Sequence, residues 1–147
     1  MDITETIELR AITVNDLDAI TEIDYGFIGR RRRGFWEGRL ESTRTSSIPS
    51  LVAVIGGNVI GFILGGVSGW EYGIPENIGW IDTLGASKDF QKKGIGRLLV
   101  DKMLALFREV GIDTVYVFVN WKDRDFMQFF NRMGFEPGDM INLKRKI

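Results

Sequence analysis

The period at which apolar and polar residues alternate changes along the chain, and each change marks an element. Residues 7–13 ("IELRAIT") alternate strictly and predict a strand. Asn15 or Asp16 then stands where a helix would be capped, and Leu17, Ile20, Ile23 and Phe27 recur at helical spacing. A second, short helix is expected in residues 29–43 ("GRRRRGFWEGRLEST"), against the resistance of Gly34 and Gly38. Two apolar runs, 51–55 and 59–67, flank Gly57-Asn58 and predict a hairpin turning on that pair. After the loop "EYGIPEN", residues 78–86 ("IGWIDTLGA") read as a strand of mixed facing. In residues 94–110, Ile95, Leu98, Leu99, Met103, Leu106, Phe107 and Val110 give a helical period that stops at Gly111. Residues 114–119 ("TVYVFV") are apolar on both faces, as an interior strand requires. Asp123 and Asp125 can open a last helix carrying Phe126, Phe129, Phe130 and Met133 and ending at Gly134, and residues 140–147 ("MINLKRKI") predict a terminal strand.

The predicted order is β-α-α-β-β-β-α-β-α-β, with no repeat, low-complexity tract or linker. It implies one α/β (α+β) domain over residues 1–147, built on a mixed, mostly antiparallel sheet flanked by helices. A length of 147 residues can bury a real core, and 44% hydrophobic with 27% charged residues is a globular balance.

Charge and rare residues narrow the chemistry. The 19 basic residues nearly cancel the 20 acidic ones, so a net charge of −1 gives no footprint for bulk nucleic-acid binding. The acidic, polar start "MDITETIELR" does not read as a secretory signal, and no apolar run approaches the ~20 residues of a membrane span. The expected location is the cytoplasm, with no membrane partner. There is no Cys and no His, which excludes a thiolate nucleophile, a Ser-His-Asp triad and the usual zinc sites. No metal is expected. Catalysis, if present, falls to carboxylates, Lys, Tyr, Ser/Thr, backbone groups or water.

The most informative stretch is "DFQKKGIGRLLVDK", residues 89–102. Helix starts favour negative charge, because free amides and the macrodipole point outward there. This one gathers Lys92, Lys93 and Arg97 around Gly94 and Gly96. A bound phosphate or pyrophosphate would reverse the sign of that electrostatic cost, and the glycines would let backbone approach it. The structural alternative is a solvated basic turn. The P-loop pattern is absent, and GxGxxG fails at Leu99.

Gln91-Lys92-Lys93-Gly94-Ile95-Gly96 resembles the [QR]-x-x-G-x-[GA] signature of the GCN5-related N-acetyltransferases (GNAT), placed as there between a strand and a long helix. "FFNRMGF", residues 129–135, is similar to the family's second landmark, and the element order matches over nearly the whole chain. The resemblance implies a GNAT-like fold and an acetyl-CoA-dependent N-acetyltransferase. Its acyl-CoA donor and a primary-amine acceptor, a small molecule or a protein amine, would meet in a ternary complex; a homodimer is a further possibility among relatives. It implies that amides of Gln91, Lys92, Lys93, Gly94, Ile95, Gly96 and Arg97 hold the CoA pyrophosphate. Leu84, Gly85 and Ala86 would bond the pantetheine in sheet fashion, where their strand splays from "TVYVFV". Asp123 matches an Asn that contacts pantetheine, and Phe130 stands where relatives often carry the Tyr that protonates the departing thiolate.

That Phe removes the usual acid, and the family's base positions match Trp80 and Phe118, neither of which can take a proton. Asp82 is the candidate base, on the reading that residues 80, 82 and 84 share one strand face; it could equally be a strand carboxylate paired with a Lys or Arg. Tyr116 is a candidate acid or water-orienting group, or a half-buried sheet tyrosine. Glu71 and Tyr72 are further candidates. Residues 30–33, four arginines, read as a solvated helix start or as a selector for a carboxylate-bearing acceptor. Trp36, Trp70 and Trp121 could line a pocket or fill the core. Gly65 and Gly66 suggest bulges or close approach by substrate. The rival functions are a CoA-binding regulatory module without chemistry and an RNA binder using the arginines.

Overall fold

A computed structural model describes residues 6–67 and 78–147 of the chain. Two compact units are present, residues 1–117 and residues 118–147. The first holds strands β1 (Glu8–Ala11), β2 (Leu51–Ile55), β3 (Asn58–Val67), β4 (Ile78–Ala86) and β5 (Thr114–Val117), with helices α1 (Leu17–Ile28), α2 (Arg33–Thr43) and α3 (Ile95–Glu109). The strands form one sheet in the order β1-β2-β3-β4-β5, antiparallel except for the parallel β4–β5 pair joined through α3. The predicted layer architecture is therefore present.

Glycines decide how closely α3 lies on the sheet. Its i, i+4 ridge of Ile95, Leu99, Met103 and Phe107 is buried. A Cβ on Gly61 would stand 2.9 Å from Ile95, one on Gly65 3.5 Å from Met103, and one on Gly79 2.7 Å from the Phe107 ring. Gly61 and Gly79 therefore make room for α3, whereas Gly65 sits at a bulge, as expected, where a Cβ would stand 2.5 Å from the Trp80 carbonyl. On the other face, Ile20, Ile23, Trp36 and Leu40 of α1 and α2 close over Val52, Val54, Phe62 and Leu64.

The α1–α2 layer is stitched by ion pairs. Asp16 stands at the N-cap of α1 as expected but makes no cap bond to it; Thr13 caps the short turn before it, its side chain accepting from the Asn15 amide while the Asp16 carboxylate accepts from the Thr13 N–H. Arg10 grips the buried Asp16 at two points (2.8 and 2.9 Å). Within the arginine run, Arg31 takes Glu22, Arg32 takes the buried Asp24, and Arg33 pairs with Asp18 and Glu37. Arg32 holds the Asp24 carboxyl below its ordinary range, against burial, which acts the other way. For Asp16, burial pushes upward but the Arg10 bond and the Thr13 amide outweigh it, leaving a net lowering. Carboxyls with lowered native values contribute stability above the unfolded carboxylate range, about 3.9, and lose it as pH falls through the native values. The urea midpoint should thus hold from neutral pH to about 5 and fall below about 4. Asp24→Asn should cost about 2 kcal/mol at neutral pH and make the acid loss shallower. An unchanged neutral midpoint would mean the Arg32 pair contributes nothing.

Two local expectations are corrected. The hairpin turns on Gly56-Gly57 (φ 54° and 82°), with Ile55 and Asn58 as the closing pair, because a two-residue primed turn needs positive φ at both positions. Residues 140–147 form no strand. An alternating segment becomes a strand only where a neighbouring edge supplies ladder bonds, and none is made there.

In the second unit, α4 (Arg124–Arg132) is capped by Asp123, whose carboxylate accepts from the Phe126 amide (3.1 Å). Phe130 is buried, with ring centroids of Phe126, Phe129 and Phe135 at 5.0–6.0 Å.

Candidate functional site

The site begins where β4 parts from β5. Their pairing runs from Ile78↔Thr114 to Ile81↔Val117, whereas β4 continues to Ala86 against β3. The last five residues of β4 therefore present one edge that pairs with no strand among the described residues. Such an edge offers N–H and C=O groups to an extended ligand. Leu84, Gly85 and Ala86 lie on that edge.

A bulge sits at the same point. Leu64 pairs with Thr83 but Gly65 with Ile81, so Asp82 is the extra residue. The expected common face of residues 80, 82 and 84 is corrected by it. Gly79 faces Phe107 of α3, whereas Gly85, six residues on, faces Phe62 and Ile23 on the opposite side. An even spacing would have kept both glycines on one face; the inserted residue reverses the parity. Trp80 and Asp82 consequently lie on the α1–α2 side, while Leu84, paired with Ile63, turns to the α3 side.

Beyond β4, Ser87 donates to the Ile60 carbonyl, and Lys88–Phe90 make one 3₁₀ turn. Gln91 Nε2 donates back to the Ala86 carbonyl (3.1 Å), bracing the loop on the strand end. Two loop residues then take left-handed backbone: Lys92 (φ 60°) and Gly94 (φ 85°). For lysine that conformation is strained by about 1 kcal/mol or more, and such strain concentrates at ligand-binding segments. The first α3 bond runs from the Leu98 N–H to the Gly94 carbonyl (3.1 Å), so the amides of Ile95, Gly96 and Arg97 precede the ladder. No side chain caps them, and no acidic residue stands in the first turn.

This loop fits a pyrophosphate. Turned amides of this kind form an anion-binding concavity. A Cβ on Gly94 would meet nothing within 4 Å, so the surface there is open. Lys92, Lys93 and Arg97 are exposed around it, Arg97 pairing loosely with Asp101 (3.8 Å) and Lys93 lying over the Phe90 ring. The basic helix start is thus joined by backbone geometry that composition alone does not reveal.

On the α1–α2 side of the bulge, Trp80 and Tyr116 are cross-strand partners with stacked rings 5.0 Å apart. Arg39 of α2 donates from Nη2 to Asp82 Oδ2 (3.1 Å), and both side chains are partly exposed. The expected alternative for Asp82, pairing with a nearby cation, is present in this sense. The sequence reading missed Arg39, because nothing in residues 29–43 says which side chain will cross to a strand 43 positions away.

Other candidates fall elsewhere. Trp36 is buried in the core, Trp121 is exposed in the second unit, and Trp70, Glu71 and Tyr72 lie outside the described residues. Asp123 and Phe130 belong to the second unit, as a helix cap and a core ring. An open groove of about 590 Å³ lies between α1 and the strand–loop junction, lined by Glu22, Tyr25, Gly26, Ser87 and Lys88; Arg39 and Asp82 do not line it. Among the described residues, no helix is long and apolar enough to cross a membrane.

Comparison with curated proteins by sequence finds no match. Among solved structures, the chain is similar to the aminoglycoside N-acetyltransferase AAC(6')-Iy in complex with CoA, at 13% identity and a TM-score of 0.81, covering 95% of this chain and 94% of that one. It is similar to a ribosomal-protein-alanine N-acetyltransferase from Brucella melitensis biovar Abortus 2308, at 16% identity and 0.76, covering 95% and 99%. It is also similar to Ard1 from Thermoplasma volcanium, at 20% identity and 0.76, covering 91% and 85%. At these identities the likeness establishes the fold. Residues 15–135 match the model of the Acetyltransferase (GNAT) family. The chain belongs to that family, the N-acetyltransferases that take their acetyl group from acetyl-CoA.

Proposed function

We propose that the chain acts as one N-acetyltransferase domain that acetylates a primary amine by direct transfer within a ternary complex. The observation that carries this reading is the succession, along the end of β4, of the bulged Asp82, a strand edge that pairs with no strand among the described residues, and the anion-suited loop. Acetyl-CoA supplies an activated acetyl thioester when bound. The amides of Gln91, Lys92, Lys93, Gly94, Ile95, Gly96 and Arg97 hold its pyrophosphate, and the edge at Leu84, Gly85 and Ala86 aligns the pantetheine arm. Asp82, directly or through a water, takes the proton from the acceptor ammonium, so that the freed lone pair can attack. Tyr116, on the same face, orients that water or returns a proton to the departing thiolate. Holding both reactants together supplies much of the acceleration.

Initial rates with acetyl-CoA and a panel of amines, amino acids and peptides test this. Intersecting double-reciprocal lines are expected; parallel lines would indicate a covalent acetyl-enzyme and overturn direct transfer. A second reading, a CoA-binding regulatory module, draws on Phe130 and on the engagement of Asp82 by Arg39. Tight CoA binding without acetyl transfer to any acceptor would favour it.

A further inference from the structure

The arginine–carboxylate pairs of the first unit are not alike. Arg10 on Asp16, Arg31 on Glu22 and Arg32 on Asp24 are each two-point contacts, fork against carboxylate. Arg39 meets Asp82 at one point only, Nη2 to Oδ2. Among the described residues, Nε and Nη1 of Arg39 donate to nothing and Oδ1 of Asp82 accepts nothing. The pair is 35% and 47% exposed, so it adds little to stability and little resists its use by a ligand. It also stands at the bulge where β4 leaves β5, beside the stacked Trp80 and Tyr116.

A half-used guanidinium beside a half-used carboxylate is complementary to a molecule bearing both charges close together. A free guanidinium edge takes a carboxylate, with its planar fork available for two parallel bonds. The open carboxylate oxygen takes an ammonium. In an α-amino acid the ammonium nitrogen and the carboxylate carbon are about 2.5 Å apart, from ordinary bond lengths, so one molecule can lie across the pair without separating it. Arg31, Arg32 and Arg33 are engaged by acidic residues of α1 or α2, whereas Arg39 is the arginine that reaches across to β4.

We propose that Arg39 is a specificity-determining residue and that the acceptor is an amino-carboxylate, a small molecule carrying a free carboxylate next to the amine. This deepens the proposed function and rests on its placement of Asp82 at the acceptor. Arg39 binds the acceptor's carboxylate and thereby sets its ammonium on Asp82. On transfer, Asp82 or its water takes one ammonium proton, the N–C bond forms, the C–S bond breaks, and the departing thiolate receives the second proton lost from the nitrogen, directly or through Tyr116.

The test measures binding and turnover separately. Titration calorimetry on the CoA-loaded protein compares L-leucine, L-phenylalanine, L-glutamate and L-lysine with their carboxamides. At least one free acid should bind about 30-fold more tightly than its amide, an effect of the size expected when a charged partner is removed from a hydrogen-bonded pair. That preference should fall to within about threefold in Arg39→Leu and be partly kept in Arg39→Lys. Equal affinity for acid and amide in the wild type, no binding by any of the four acids, or a preference that survives in Arg39→Leu overturns the inference. The wild-type comparison stands even if the leucine variant does not fold. Selective acid binding without acetyl transfer would instead count against the proposed reaction while leaving the recognition intact.

Discussion

Gly94→Val is expected to weaken CoA binding by on the order of 30-fold while the domain stays folded, with Gly94→Asn losing only a few-fold. Gly94 has φ 85°, and a Cβ there would meet nothing, so the penalty is conformational rather than steric. A β-branched residue in left-handed backbone costs about 1–3 kcal/mol, whereas asparagine tolerates it. The valine variant would relieve that strain by moving the loop, which turns the amides of Ile95, Gly96 and Arg97 away from a common ligand. Calorimetric titration with CoA, alongside thermal unfolding, reads both effects. If valine bound CoA as tightly as glycine does, the pyrophosphate assignment would be wrong. If asparagine failed as badly as valine, side-chain bulk rather than backbone would be responsible.

Asp82→Asn should lower kcat/KM by about 100-fold, the lower range for a general acid–base group and about 2.7 kcal/mol of transition-state stabilisation. CoA affinity should be unchanged, because the loop and the edge at Leu84–Ala86 keep their own contacts. Asparagine preserves size and can still accept a bond from Arg39, so a structural role alone would be largely spared. Steady-state rates with a competent acceptor decide it. Activity within about threefold of wild type would make Asp82 only the partner of Arg39.

The two residues show how differently parts of the site can be read. Gly94 was legible because its signal is local: two glycines and three cations before an amphipathic helix conflict with ordinary helix-start preferences. Asp82 was legible only by name. The facing assigned to it rested on uninterrupted alternation, and a single inserted residue opposite Leu64 and Gly65 reversed that alternation beyond it. No residue of "IGWIDTLGA" announces the insertion; the signal lies on β3, where Gly65 has no room for a side chain beside the Trp80 carbonyl. Arg39 was hidden for a related reason, since its partner is 43 positions away. The arginine run drew attention as an acceptor selector, yet helix packing committed three of its members to α1 and α2.

By itself the sequence determined the elements whose signals are local or periodic. These include α3 from its apolar stripe, β4 from its bounded apolar run, α4 from its aspartate cap, and the glycine-marked, basic start of α3. Tertiary structure decided what depends on a partner. The alternating tail, residues 140–147, has strand periodicity but makes no ladder, because periodicity specifies faces and not a neighbour. Pairing likewise fixed the bulge and the single-point contact that leaves Arg39 and Asp82 each half available. Local preference is encoded within a few residues; register and cross-chain pairing are settled only when distant segments pack together.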